Sequence, residues 1–319
     1  MKLAHYIDPR APISCLGIVH GNEIFDIRVA WQMHILEVAI SNSLLETLCL
    51  NLENGSLHQL EESILELDAH DFQDMRFPLS EIELLPPVHP TSFRDFYAFE
   101  QHVKNARKKR GLEMVQEWYE APVFYFSNTA GIVGPGVDIQ KPAETSELDY
   151  ELEVAVVIGR EGGDIALDEA DEFIAGFTIL NDWSARDIQR REMKVGLGPA
   201  KGKDFATSIG PFLVTPDDLA DRIVESKNGN RYDLTMTATV NGKEYSRGNL
   251  KDMNWTFAEL IVQASRNTIL KPGDLIGSGT VGTGCITEFA EGTYPWLQPA
   301  DVVRLEVERL GELENKVVE

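Results

Sequence analysis

The segment Leu148-Asp149-Tyr150-Glu151-Leu152-Glu153-Val154-Ala155-Val156-Val157-Ile158 contains a strand and the start of a site. Side chains alternate across a β-strand, so Leu152, Val154, Val156 and Ile158 share one apolar face. Glu151, Glu153, Ala155 and Val157 share the other. That face turns apolar within two residues of Glu153, which sets it apart from a fully solvated surface. Two carboxylates on it lie about 7 Å apart, twice the rise of about 3.3–3.4 Å per residue. They repel each other and titrate upward unless a cation joins them. A divalent metal would resolve the repulsion, and oxygen-only ligands favour Mg²⁺, Ca²⁺ or Mn²⁺ over zinc. The competing reading is a solvated strand face in an acidic chain.

Outward from this strand, further β-rich runs occupy residues 123–126, 173–181, 232–240 and 302–310, punctuated by turns. Asn241-Gly242, between TMTATV and KEYSRG, predicts a type I′ hairpin. Helical periodicity is scarcer, and residues 95–119 read as mostly helical with Gly111 as the interruption. The fold class expected is mainly β (α+β). Upstream, residues 1–88 read as a small N-terminal α+β domain, with short strand-like pieces at 13–18 and 23–29. A helix-period stretch over 31–68 is broken at Asn54-Gly55. Leu85-Pro86-Pro87-Val88-His89-Pro90 forbids regular structure and marks the boundary with a larger domain, 89–319.

The chain of 319 residues carries 52 Asp+Glu against 29 Lys+Arg, a formal charge of −23. Residues 1–90 hold 14 acids and 4 bases. Nucleic-acid binding relies on a surplus of Lys and Arg, so the charge argues against it, and against an anionic membrane surface. No apolar run approaches the roughly 18 residues of a membrane span, and MKLAHYIDPRAP lacks the apolar core of a signal peptide. Cys15, Cys49 and Cys285 stand far apart without a CxxC pair, as expected of reduced thiols in a cytoplasmic protein.

A second polar cluster is Phe177-Thr178-Ile179-Leu180-Asn181-Asp182-Trp183-Ser184-Ala185-Arg186-Asp187-Ile188-Gln189. Asp182 ends an apolar run, where a strand delivers its side chain to the rim of a sheet. The alternative is that Asn181 or Asp182 caps a helix in the polar residues that follow. Farther on, Gly198-Pro199-Ala200-Lys201-Gly202-Lys203-Asp204-Phe205-Ala206-Thr207 is glycine-flanked and non-periodic. A lysine there would balance clustered carboxylates or hold an anionic substrate, or would simply be a solvated loop residue.

Glu151-x-Glu153, NDWSARDIQ (181–189) and GKDFATSIGPF (202–212) together resemble the fumarylacetoacetate hydrolase superfamily over about residues 90–310. The resemblance implies a fumarylacetoacetate hydrolase-like mixed β-roll or sandwich, a homodimer, and Mg²⁺ (alternatively Ca²⁺ or Mn²⁺) held by carboxylates. It also implies a small anionic oxo-acid substrate. Arg94-Asp95-Phe96-Tyr97-Ala98-Phe99-Glu100-Gln101-His102 is similar to the Asp-Phe-Tyr and downstream histidine of the family's founding enzyme type. By that match Asp95, Glu151, Glu153 and Asp182 are the metal carboxylates, and His102 is the general base. Seven residues are two helical turns, which would turn Asp95 and His102 toward one pocket. Lys203 and Thr207 fall on positions around the metal, with Lys203 also stabilising an oxyanion. Tyr97, Tyr125, Gln189 and Thr280 fall on substrate-contacting positions, and Glu288 matches the carboxylate that orients the histidine.

Gly111 stands where the family has an arginine that grips a substrate carboxylate; the preceding Arg110 is the candidate substitute, in a basic run that otherwise reads as a solvated helix face. Gly277-Ser278-Gly279-Thr280-Val281-Gly282 fits GxGxxG, but turn-rich sequence follows instead of a helix, so no nucleotide cofactor is expected. A GxSxG elbow is absent. The resemblance therefore implies a metal-dependent hydrolase of a carbon–carbon bond in a β-diketo acid, of the kind used in aromatic amino acid catabolism. The alternatives are a 2-oxo-acid decarboxylase or isomerase, or a catalytically inactive metal-binding dimer.

Overall fold

A computed structural model describes residues 1–32, 61–62, 76–224 and 226–319. Most of the predicted helix-period stretch 31–68 lies outside these residues. In chain order the elements used below are β1 (Lys2–Ile7), β2 (Ser14–His20), β3 (Glu23–Asp26), α1 (Ile27–Gln32), β4 (Arg76–Pro78), β5 (Phe93–Phe96) and α2 (Glu100–Lys109). They continue as β6 (Phe124–Phe126), β7 (Leu152–Ile158), β8 (Ile174–Asn181), α3 (Arg186–Met193) and β9 (Thr207–Val214). The last are β10 (Thr235–Val240), β11 (Lys243–Asn249), α4 (Phe257–Ser265), β12 (Leu275–Gly277), β13 (Val302–Val307) and β14 (Gly311–Val318). The protein is mainly β, as expected. Among the described residues no helix is long and apolar enough to cross a membrane.

One 12-stranded sheet runs β4-β3-β2-β1-β9-β8-β7-β12-β5-β6, with two short strands off this path. Neighbours along the path are antiparallel except β12 and β5, which run parallel. Leu3 of β1 sits opposite Leu213 of β9, so the first strands continue the sheet built by residues beyond the proline stretch. A second sheet runs β11-β10-β13-β14 and ends on the short strand Ile139–Gln140. Its β10–β11 hairpin turns at Asn241 and Gly242, with φ of 51° and 77°. Those two positive angles are the type I′ requirement that Asn-Gly meets at low steric cost.

The alternation in β7 decides where the core lies. Leu152, Val154, Val156 and Ile158 join Met236, Ala238, Leu305 and Leu313 in the largest apolar cluster, which links the two sheets. Ala155 and Val157 pack on the opposite face with Leu3, Ile18, Phe25, Leu180 and Leu213. Both faces of β7 are therefore dry. Burying a Val or Leu side chain stabilises by about 1.5–3 kcal/mol, so the strand is held firmly in register.

Residues 95–119 depart from the predicted helix. Asp95 lies on strand β5, the helix spans only Glu100–Lys109, and residues 116–119 form a 3₁₀ turn. The helix stops because Gly111 takes φ of +71°, a left-handed conformation favoured by glycine at a helix end. The two-turn argument for Asp95 and His102 is thereby corrected: one arrives on a strand and the other on the following helix.

Candidate active site

Strand register assembles the acidic centre. Asp95 of β5 pairs with Gly277 of β12 on one side and with Tyr125 of β6 on the other. Leu152 pairs with Asn181, so Glu151 and Asp182 leave the same end of the β7–β8 pair. Asn181 Oδ1 accepts the Glu151 backbone N–H at 2.9 Å, fixing that corner. Neither Asn181 nor Asp182 caps α3, whose cap position is Ala185. The capping alternative is excluded because both side chains are engaged across the sheet end.

Asp95, Glu151 and Asp182 each place a carboxylate oxygen within 4.8 Å of one another, and all three are buried. Glu153 is fully buried on β7 and accepts the Thr280 hydroxyl at 3.2 Å. Lys203 is 3% exposed, so it is not a solvated loop lysine. Its ammonium donates to Glu151 Oε2 and Asp182 Oδ2, each at 2.5 Å. The Tyr125 hydroxyl also donates to Asp182 Oδ2.

Among the described residues, three buried carboxylate oxygens in this cluster have no hydrogen-bond partner: Asp95 Oδ1, Glu153 Oε2 and Asp182 Oδ1. A buried acceptor left unpaired is costly. The charges show the same deficit. Among the described residues, Asp95, Asp149, Glu151, Glu153 and Asp182 are buried beside two cations, Lys203 and Arg186, so full ionisation leaves three negative charges uncompensated there. A hard divalent cation with oxygen ligands fits both deficits. Burial first, then neighbouring carboxylates, pushes Asp95 and Glu153 well above the usual carboxylate range. Burial likewise raises Glu151, but Lys203 and Arg186 outweigh it and hold its carboxyl below that range.

His102 lies one turn into α2, and it is the only histidine after residue 89. Its Nδ1 is 2.7 Å from Glu288 Oε1, and its ring meets Tyr97 edge-on with centroids 5.3 Å apart. Burial raises the Tyr97 hydroxyl to about 12, so it remains a neutral donor at physiological pH.

A cavity of about 1050 Å³ is lined by most of these groups, though not by Asp182 or Glu288. Its wall includes Asp95, Glu151, Glu153 and Lys203 on the acidic side, and Tyr97, His102, Tyr125, Gln189 and Thr280 elsewhere. Arg110, the C-cap of α2, also lines it, together with Lys109, Arg190 and Lys194. Lys109 and Arg110, the last two residues of the basic run, are thus exposed and border the cavity at the same time. Thr207 is buried at the start of β9 and is not part of the wall.

The sequence reading passed over Arg186 and Asp149. Arg186 Nε donates to Asp149 Oδ2 at 2.9 Å, Nη1 donates to Gln189 Oε1 at 3.1 Å, and Nη2 lies 2.8 Å from Glu151 Oε1. Asp149 in turn accepts the Ile286 and Thr287 amides at 2.8 and 3.0 Å. A buried arginine thereby ties the 286–287 turn to the acidic cluster. Its only sequence signal was its place between Asp182 and Gln189.

Gly277 is required by the close approach of Asp95: a Cβ there would lie 2.4 Å from Asp95 Oδ1. If the cluster holds a divalent cation, Gly277→Ala should displace that carboxylate and lower the cation's affinity by about 10-fold or more. Isothermal titration would show it, and wild-type affinity would refute the close-approach argument.

The family profile described as "Fumarylacetoacetate (FAA) hydrolase C-terminal" matches residues 91–318. The fumarylacetoacetase of Oryza sativa subsp. japonica is 29% identical over 258 residues, covering 66% of this chain and 60% of that protein. A mitochondrial oxaloacetate tautomerase of Rattus norvegicus is 36% identical over 200 residues, 62% of this chain and 59% of that protein. The chain therefore spans about 60% of the length of the curated relatives it matches. Among solved structures, the fumarylacetoacetate hydrolase from Exiguobacterium antarcticum superposes with a TM-score of 0.73 at 25% identity, covering 100% of this chain and 99% of that one. The maleylpyruvate hydrolase from Sphingobium sp. SYK-6 shares the fold, with a TM-score of 0.70 at 22% identity and coverage of 100% and 99%.

Proposed function

The chain belongs to the fumarylacetoacetate hydrolase family, and on that premise we propose that it hydrolyses a carbon–carbon bond in a small β-diketo acid of the acylpyruvate or fumarylacetoacetate type. One observation carries this reading: His102, held by the buried carboxylate of Glu288, lines a cavity that Asp95 and Glu153 also line, each with a carboxylate oxygen that lacks a partner among the described residues. Asp95, Glu151, Glu153 and Asp182 would hold the cation, with Mg²⁺ the proposed occupant. When bound, such a cation supplies Lewis acidity to the substrate's carbonyl oxygens.

The remaining work falls to the chain's own groups. Glu288 accepts the Nδ1 proton of His102, which leaves Nε2 as the base that removes a proton from water. The water oxygen adds to the carbonyl carbon, and the charge develops on the carbonyl oxygen. Lys203 commits two of its three ammonium protons to Glu151 and Asp182, so one remains for that oxygen. The oxyanion then collapses to a carboxylic acid, the carbon–carbon bond breaks, and the departing oxo-acid enolate (2-oxo from an acylpyruvate, 3-oxo from fumarylacetoacetate) takes on carbon the proton held by His102. An acid substrate needs positive charge in a chain of net −23, and Arg110, Lys109 and Lys194 provide it at the cavity wall.

A second reading is enol–keto isomerisation, favoured by the 36% identity to the oxaloacetate tautomerase. The same base would then move a proton between carbon and oxygen without adding water. Incubating acetylpyruvate, fumarylacetoacetate and oxaloacetate with the Mg²⁺-loaded protein separates the two. Acetate and pyruvate from acetylpyruvate, with label from ¹⁸O-water in the acetate, is the expected result. Tautomerisation of oxaloacetate without cleavage of either β-diketo acid would overturn it.

A further inference from the structure

The buried carboxylate of Glu288 receives more donors than the histidine alone would require. His102 Nδ1 lies 2.7 Å from Oε1, and the Gly284 amide donates to the same oxygen at 3.1 Å. The other oxygen, Oε2, accepts the Thr283 amide at 2.9 Å and the Asn105 side-chain amide at 2.7 Å. The Cys285 thiol stands 3.5 Å from Oε1. Glu288 itself has no exposed side-chain surface. Two independent features aim these donors. Asn105 follows His102 by three residues on α2, so both side chains leave the same helix face. Gln101 Nε2 donates to Asn105 Oδ1 at 2.8 Å, which settles the amide orientation and leaves Nδ2 to face the carboxylate. From the opposite side, Thr283 takes φ of +65°, a strained conformation for a β-branched residue. That twist turns the successive amides of Thr283 and Gly284 onto the two carboxylate oxygens.

We infer that Asn105 is a positioning residue, which with the Thr283–Gly284 turn pins Glu288 so that Oε1 faces His102. A carboxylate is free to turn about its last side-chain torsion, which is broad and roughly two-fold. Holding Oε2 from two directions removes that freedom, and Oε1 stays in line with Nδ1. The hydrogen bonds of the Asn105 side chain run to Gln101 and Glu288, so its effect on the base passes through Glu288. The inference rests on the hydrolase reading given above, because it assigns His102 as the base.

The test uses the full chain with Mg²⁺ and acetylpyruvate. Asn105→Ala should lower kcat by about 10-fold and leave KM within about twofold, since the proton transfer is impaired while binding is not. Alanine favours a helix more than asparagine does, so the fold is retained. In a Glu288→Ala background the same substitution should cost nothing further, because residues that act as a unit are not additive. Unchanged kcat in Asn105→Ala, or an equal loss in both backgrounds, would overturn the inference. A second readout needs no substrate: the hydrogen-bonded Nδ1 proton of His102, identified by its loss in His102→Ala, should move upfield in the proton spectrum of Asn105→Ala. An unmoved resonance refutes the positioning role. Failure of the wider reading looks different, because His102→Ala would then turn over acetylpyruvate like the wild type.

Discussion

His102→Ala should lower kcat by about two to four orders of magnitude while Mg²⁺ binds as before. The magnitude is that of removing a positioned general base. Two features of the site make the two effects separable. His102 is carried by α2, whereas the four acidic residues are delivered by strands β5 and β7 and by the corners at Glu151 and Asp182. Its ring is committed to Glu288 and Tyr97, and neither belongs to the cluster of unpaired carboxylate oxygens. No other histidine lies beyond residue 89 to take over the proton transfer. Glu288→Gln should also slow turnover strongly, because an amide that donates toward Nδ1 favours the wrong imidazole tautomer. Initial rates together with Mg²⁺ titration by calorimetry decide the matter. Turnover that persists in His102→Ala removes the base assignment, and lost metal binding would mean that the histidine belongs to the metal cluster.

The parts of this site that could be read from sequence were those with a local signature. The alternation in β7 showed which face Glu151 and Glu153 share, and Asn241-Gly242 marked the β10–β11 hairpin. Asp95 could not be placed in this way. Its strand is only four residues long and is held by Gly277 across a parallel pairing spanning about 180 positions of chain. Nothing in FRDF distinguishes such a strand from the start of the helix that follows. The dryness of the glutamate face was similarly remote, because Leu3, Ile18 and Phe25 of the first strands cover its apolar continuation. Asp182 illustrates a third kind of gap. The preference of aspartate for helix caps is a statement about local backbone, and here Lys203 and Tyr125 override it from 21 and 57 residues away.

Glu153→Gln should have two opposite effects on stability, and together they test the cation site. In the metal-free protein Glu153 and Asp95 are raised well above their ordinary values, chiefly by burial and then by a neighbouring carboxylate, Asp95 for Glu153 and Asp182 for Asp95. Between the ordinary carboxylate value of about 4 and the raised one, the folded state binds more protons than the unfolded state. Stability of the metal-free wild type therefore falls as pH rises through that window. Glutamine removes one of the two buried charges, so the variant stripped with chelator should melt higher than stripped wild type at neutral pH and lose less stability with rising pH. Metal binding reverses the sign, since ligand carboxylates must be deprotonated and a proton competes with the ion. Wild type should accordingly gain more from Mg²⁺ as pH rises, by about 2.7 kcal/mol when the free ion is at 100 times its dissociation constant. In Glu153→Gln that gain should largely disappear, with affinity lower by about 100-fold. Melting curves at about pH 5 and about pH 8, with chelator and with Mg²⁺, contain the whole comparison. If the variant gains as much from Mg²⁺ as the wild type does, Glu153 is not a ligand. If stripped wild type instead grows more stable toward alkaline pH, the unpaired carboxylates are not the electrostatic deficit inferred from their burial.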